Sequence, residues 1–218
     1  MMIIILFIFI LCLLWVQKYY YQMSLFLIIL SCVPFFARFE YKNNKAEEIV
    51  LIAIMAAVAA VSRVPFTALP GSIQPVTFII MVTAYVFGAE TGFMTGAIAA
   101  FVSNIFLGQG PWTPWQIFSW GLIGFVTGIT RKTPLLKNRV FRILLGFIYG
   151  FLFGIIMDFW TMMSLGENLS FKIWFGYFTA AFAFNLAHAL SNVFFLVVFF
   201  SPFVNILERI KKKYGLIE

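Results

Sequence analysis

Charge is scarce in this sequence. Asp, Glu, Lys and Arg make up 11% of the 218 residues, less than half of the roughly one quarter usual in a soluble domain. That deficit excludes water as the main solvent. Cysteine occurs only at Cys12 and Cys32, both inside apolar runs. So few thiols exclude a disulfide scaffold, and their spacing fits no metal site. His188 is the single histidine and has no Cys near it. The carboxylates Glu40, Glu47, Glu48, Glu90, Asp158, Glu167, Glu208 and Glu218 are scattered, mostly at loops. No catalytic set, paired-acid proton relay or resident cofactor site emerges from these residues. No glycine-rich loop ends in Lys-Ser/Thr either, so the chain has no nucleotide site of its own.

Apolar residues are abundant: 63% of the chain is hydrophobic and 20% aromatic. Lipid offers no hydrogen-bond partners, so a membrane chain crosses as helices or as a closed barrel. Long apolar runs without period-two alternation favour helices. The expected fold is therefore all-α, a polytopic membrane helical bundle. Residues 1–16 and 19–37 are apolar runs with no leading Lys or Arg and no small-residue cleavage site. They read as two retained helices, with a single cleaved or peripheral segment as the alternative. Residues 1–38 form an N-terminal extension and residues 39–218 the membrane domain. Within the domain, helices are expected at 47–63, 76–88, 91–107, 117–130, 140–163 and 173–200.

The net charge of +7 invites a nucleic-acid reading. The placement of the charges argues against it. Five basic residues fall in the segment 131–142, four in the tail 201–218 and three in the linker 38–48. If these segments share the cytoplasmic side, all obey the positive-inside rule. Both ends of the domain then face the cytoplasm. The other three loops fall outside, bordered only by Arg63 and Lys172.

The most unusual stretch is Gly108-Gln109-Gly110-Pro111-Trp112-Thr113-Pro114-Trp115-Gln116. Its prolines and glycines predict a stiff, aromatic cap between two apolar helices. Tryptophan suits a membrane interface and also suits gripping a flat ligand. The three outward loops, two of them rich in Gly and Pro, together predict a lidded small-molecule pocket. Gln74, Asn104, Gln109, Gln116 and the rings of Trp112, Trp115 and Trp120 are its candidate lining. Asn185, His188 and Asn192 share one helix face. They are either further site residues or hydrogen bonds between helices.

Small residues also recur four apart. Ala53/Ala57 and Ala56/Ala60 form stripes that permit close approach of a partner helix, or ordinary internal packing. Gly146, Gly150 and Gly154 form another stripe. Binding without an energy source, together with a partner face, predicts one subunit of a larger transporter.

From about residue 46 onward the sequence resembles the substrate-specific (S) component of an energy-coupling factor (ECF) transporter. The resemblance rests on the six spans, the Ala53-x-x-x-Ala57 and Ala56-x-x-x-Ala60 repeats and the 108–116 loop. It implies a binding subunit of a bacterial cytoplasmic membrane importer, not an enzyme. Its implied partners are a transmembrane coupling subunit, reached through the alanine motif, and two ATPase subunits. The substrate, a vitamin or its precursor, would lie under the outward loops. The run 90–128 is most similar to cobalamin-type S components, which implies a cobalamin-like substrate. Pantothenate, a flavin or a purine-like precursor stay open on the loop chemistry. A membrane-embedded lipid enzyme and a stand-alone carrier are the competing classes.

Overall fold

The computed structural model describes residues 20–41, 45–66, 73–165 and 170–216. These residues form α-helices and one short 3-10 turn. In chain order the helices are α1 (Tyr20–Tyr41), α2 (Ala46–Arg63), α3 (Val76–Phe87), α4 (Ala89–Leu107), α5 (Thr113–Thr130), the short α6 (Pro134–Lys137), α7 (Arg139–Ser164) and α8 (Phe171–Tyr214). Segments carrying α2, α4, α7 and α8 are long and apolar enough to cross a membrane. The expected polytopic helical bundle is what the chain forms. The expected helix at 1–16 lies outside the described residues.

Each expected span of the membrane domain corresponds to a helix, but two boundaries moved. Helix α5 begins at Thr113 rather than 117, inside the Trp-rich stretch. Proline at the first turn of a helix removes a donor that would be unpaired anyway, so Pro114 starts this helix instead of excluding it. Helix α8 runs to Tyr214 rather than ending at 200, and absorbs Pro202 and most of the predicted tail. Leu207 and Leu216 are buried there, so packing holds the segment against the bundle. Between α3 and α4 the reversal needs a single residue, Gly88, at φ 104°. Only glycine adopts that conformation without strain.

Helix α3 is the axis of the bundle. It is only 12 residues long, and every one of them except Tyr85 is buried. It packs against α2, α4, α5, α7 and α8. Around it, two helix pairs are locked by glycine. A Cβ added to Gly92 would lie 2.6 Å from the Gly124 carbonyl oxygen, so α4 and α5 meet backbone to backbone. Gly96 against Trp120 and Gly128 against Ala89 extend the same seam. On the other side the Gly146, Gly150 and Gly154 stripe of α7 packs on Leu196, Ala189 and Asn185 of α8. Small residues drive such contacts because apolar burial supplies little force between helices already in lipid.

Side chains on the bundle's exterior are large and apolar, among them Ile54, Val58, Phe101, Ile105, Ile148 and Phe194. Such a belt suits acyl chains as solvent. Helix α1 docks on the α4–α5 pair. Phe35 stacks on Phe93 at 4.2 Å between ring centroids, and Arg38 Nε donates to Glu90 Oε1 at 2.5 Å.

Candidate functional site

The C-terminal end of α2 delivers Arg63 to the point where α3, α4 and α5 come together. Its Nε donates to Gln74 Oε1 at 2.9 Å, and its Nη1 donates to Ser103 Oγ and to Asn104 Oδ1, the latter at 3.3 Å. The guanidinium also lies 4.7 Å from the centre of the Trp120 ring. Such placement over an aromatic face is electrostatically favourable.

From Asn104 the network continues into the Trp-rich stretch. Asn104 Nδ2 donates to Gln116 Oε1 at 2.7 Å and to Thr113 Oγ1 at 3.0 Å. Thr113 Oγ1 in turn donates to Gln109 Oε1 at 2.9 Å. Gln109 Nε2 ties back to the Phe101 carbonyl at 2.9 Å. Two short polar steps thus pin the turn between α4 and α5. Gly108, at φ 107°, ends α4 and lets the chain reverse there. Trp112 projects from the turn and meets Trp160 of α7 edge to face at 5.6 Å.

Below Arg63 the network passes to α8. Trp120 Nε1 donates to Thr77 Oγ1 at 3.1 Å, and Thr77 Oγ1 shares a hydrogen bond with His188 Nε2 at 3.0 Å. The His188 ring lies against Phe153, which stacks on Trp120. One turn further on, Ser191 Oγ accepts from the Gln74 backbone N–H at 3.1 Å. The indole nitrogens of Trp115 and Trp160 and Nδ1 of His188 are buried and have no hydrogen-bond partner among the described residues. Buried donors of this kind normally find one.

The family model described as ECF-type riboflavin transporter, S component, matches residues 43–209. The chain belongs to this S-component family. Its members are transporter components rather than enzymes, and the multi-pass helical bundle agrees with that. A UPF0397 protein of Vibrio atlanticus (strain LGP32) is 30% identical over 102 residues, covering 45% of this chain and 54% of that protein. A UPF0397 protein of Aliivibrio fischeri (strain MJ11) is 29% identical over 103 residues, with 45% and 54% covered. The chain thus spans about half the length of the curated relatives it matches. No solved structure matches it. The expected cobalamin subtype is not supported, because the matching family description names riboflavin.

In this S component the structure sorts the residues singled out from the sequence. Gln74, Asn104, Gln109, Gln116, Trp120 and His188 fall into the one network around Arg63. Trp112 is half-buried at its rim, while Trp115 is buried beside it on α5. Trp120 is completely buried, so it supports the network from beneath and offers no open face for a large ring. Asn185 stands apart. Its Nδ2 donates to Asp158 Oδ2 at 2.7 Å, and Asn192 Nδ2 donates to the Gly146 carbonyl at 3.0 Å. Both join α7 to α8. Asp158 is buried on α7 with Asn185 as its partner.

The alanine stripes also divide. Ala56 and Ala60 are fully buried inside the bundle, because α2 turns that face to its own neighbours. Ala53 and Ala57 are exposed on the outer face beside Ile54 and Val58. Arg63, Thr77, Ser103, Thr113 and Ser191 were missed as site residues. Arg63 carried the available signal: a cation at an otherwise uncharged loop edge requires acceptors.

Proposed function

We propose that this chain is the substrate-binding membrane subunit of an ECF-type importer and that its substrate is a flavin, riboflavin first. The Arg63 network beneath the Trp-rich turn is the observation that carries the reading, and the family match directs it to flavin. Riboflavin offers a flat ring system, an edge where carbonyls flank an N–H, and a chain of hydroxyls. Asn104 and Gln116 can both donate and accept, so they suit that edge. Arg63 is a fork of donors for carbonyl or hydroxyl oxygens. Trp112 supplies a flat aromatic face at the rim.

The site end of the bundle faces outward and the basic end faces the cytoplasm, in keeping with the positive-inside pattern. The exposed Ala53 and Ala57 face receives a transmembrane coupling subunit, and two ATPase subunits supply the energy that this chain has no means of coupling. Titration of the purified protein with riboflavin and with cobalamin, without ATP, tests the assignment. Saturable quenching of riboflavin fluorescence, weakened in Trp112→Ala and Gln116→Ala proteins that remain folded, is the expected result. Binding of cobalamin but not riboflavin would replace the substrate. Binding of neither would call for a vitamin panel.

A further inference from the structure

At the end of α3 away from Gln74, the chain gathers cations. Arg131 Nη1 and Lys211 Nζ both donate to the Val86 carbonyl, at 3.0 and 3.1 Å. These bonds satisfy an end-of-helix acceptor and fix both side chains. With exposed Lys132 and Lys137 they line an open cavity of about 400 Å³, in which Glu208 is the one carboxylate among the described residues. Four cations against one anion leave this cavity strongly positive.

A second cavity, of about 150 Å³, is formed from the same stretch of chain. Val126, Leu136, Phe141, Leu144 and Ile148 make its wall almost wholly apolar. Leu136 precedes Lys137 in the sequence, and Thr130, also in the apolar wall, precedes Arg131. The short helix α6 therefore contributes to a basic cavity and an apolar one with adjacent residues.

We infer that this end of the bundle binds an anionic phospholipid, its phosphate headgroup among Arg131, Lys132, Lys137 and Lys211 and an acyl chain along the Leu136–Ile148 groove. A soluble anion would use the cations but has no use for the groove. A neutral lipid would use the groove but not the cations. Basic pockets between membrane helices are suited to such headgroups. This inference does not depend on which vitamin the opposite end binds.

The full chain, purified in detergent, is titrated with dioleoylphosphatidylglycerol, dioleoylphosphatidylcholine and glycerol 3-phosphate while its thermal unfolding is followed. The phosphatidylglycerol should raise the midpoint saturably, and the other two should not. In the Lys132→Ala/Lys137→Ala protein the apparent affinity should fall about 30-fold, from roughly one surface-cation contribution lost per lysine. Lys132→Arg/Lys137→Arg should keep most of it, and Leu144→Asn should weaken lipid binding with the cations intact. Both lysines are exposed, so circular dichroism should show an unchanged helical fold. Equal stabilisation by phosphatidylcholine would overturn the inference. So would reproduction of the effect by glycerol 3-phosphate, which would assign the cavity to a soluble anion. Unaltered phosphatidylglycerol affinity in the double alanine protein would overturn it as well.

Discussion

Replacing Arg63 with Met is the most informative perturbation of the candidate site. The methionine fills much of the same volume but removes donors to Gln74, Ser103 and Asn104 and the cation over Trp120. Hydrogen bonds to a charged group contribute roughly 1.5–3 kcal/mol each, so the gross loss is roughly 5–9 kcal/mol. Holding a partly buried guanidinium out of water costs several kcal/mol, which the substitution recovers. The net effect on folding should therefore be small, about 1–3 kcal/mol of destabilisation. Binding has no such compensation. If Arg63 donates to the substrate and holds Asn104 in register, its loss removes at least one charge-assisted bond, about 10- to 150-fold in affinity. Arg63→Lys should fall between, because one ammonium cannot span Gln74 and Asn104 as a planar fork does. Thermal unfolding and riboflavin titration on the same preparations separate the two effects. A folded Arg63→Met protein whose affinity changes less than about 3-fold would refute a ligand-facing role for the network.

Asn185→Ala should lower the unfolding midpoint, by about 1–3 kcal/mol for leaving Asp158 without its donor, while substrate affinity stays as in the parent protein. Gly92→Val should abolish the folded monomer, since its side chain would meet the Gly124 carbonyl and Ala84; size-exclusion profiles of purified protein report this directly. Ala57→Leu should block co-purification with a coupling subunit and leave substrate binding intact. Ala56→Leu should instead destabilise the isolated protein by about 1–3 kcal/mol, the range for overpacking a filled interior. Equal behaviour of the two alanine variants in both assays would remove the division of α2 into an inner and an outer face.

The helices were legible because lipid-facing and buried surfaces are both apolar, so each span stands out as a run between polar breaks. The same property hid their orientation. Composition separates Ala56, buried, from Ala57, exposed, only weakly, since both faces of α2 are apolar: Leu51, Ile52, Met55 and alanines lie inward, and Ile54, Val58 and alanines outward. Pro114 was read as part of a break, yet it lies where a helix needs no donor; the last helix was expected to end at 200, yet it continues through Pro202 with packing on both sides. Asn104, Gln109 and Gln116 were legible as polar residues next to an aromatic turn. That they form a single network was not, because its centre, Arg63, lies 41 residues before Asn104. His188 and Asn185 share a helix face, yet one joins the site through Thr77 and the other serves the α7–α8 seam. Three residues of spacing along α8 suffice to change the neighbour they meet.

The arrangement assigns different mechanical roles to the parts of the site. Ser103, Asn104, Thr113 and Gln116 all belong to α4 and α5, whose backbones touch along the Gly92–Gly124 and Gly96–Trp120 seam. That pair has no slack, because packed interfaces occupy discrete arrangements instead of deforming smoothly. Arg63 comes from α2, Gln74 from the segment before α3, and His188 and Ser191 from α8. Arg63 is the cross-link between the rigid wall and Gln74, and Gln74 is in turn bonded to Ser191. A substrate oxygen that takes over the Arg63 N–H now given to Gln74 keeps the guanidinium satisfied and frees the Gln74 side-chain oxygen, which is only partly buried. The exchange could then release Gln74 and the segment it belongs to while Asn104 and Gln116 stay fixed. Hydrogen exchange at the Gln74 and Ile73 amides, compared with and without riboflavin, should therefore change more than exchange at Asn104 or Gln116. Equal protection changes at all four amides would place the adjustable element elsewhere.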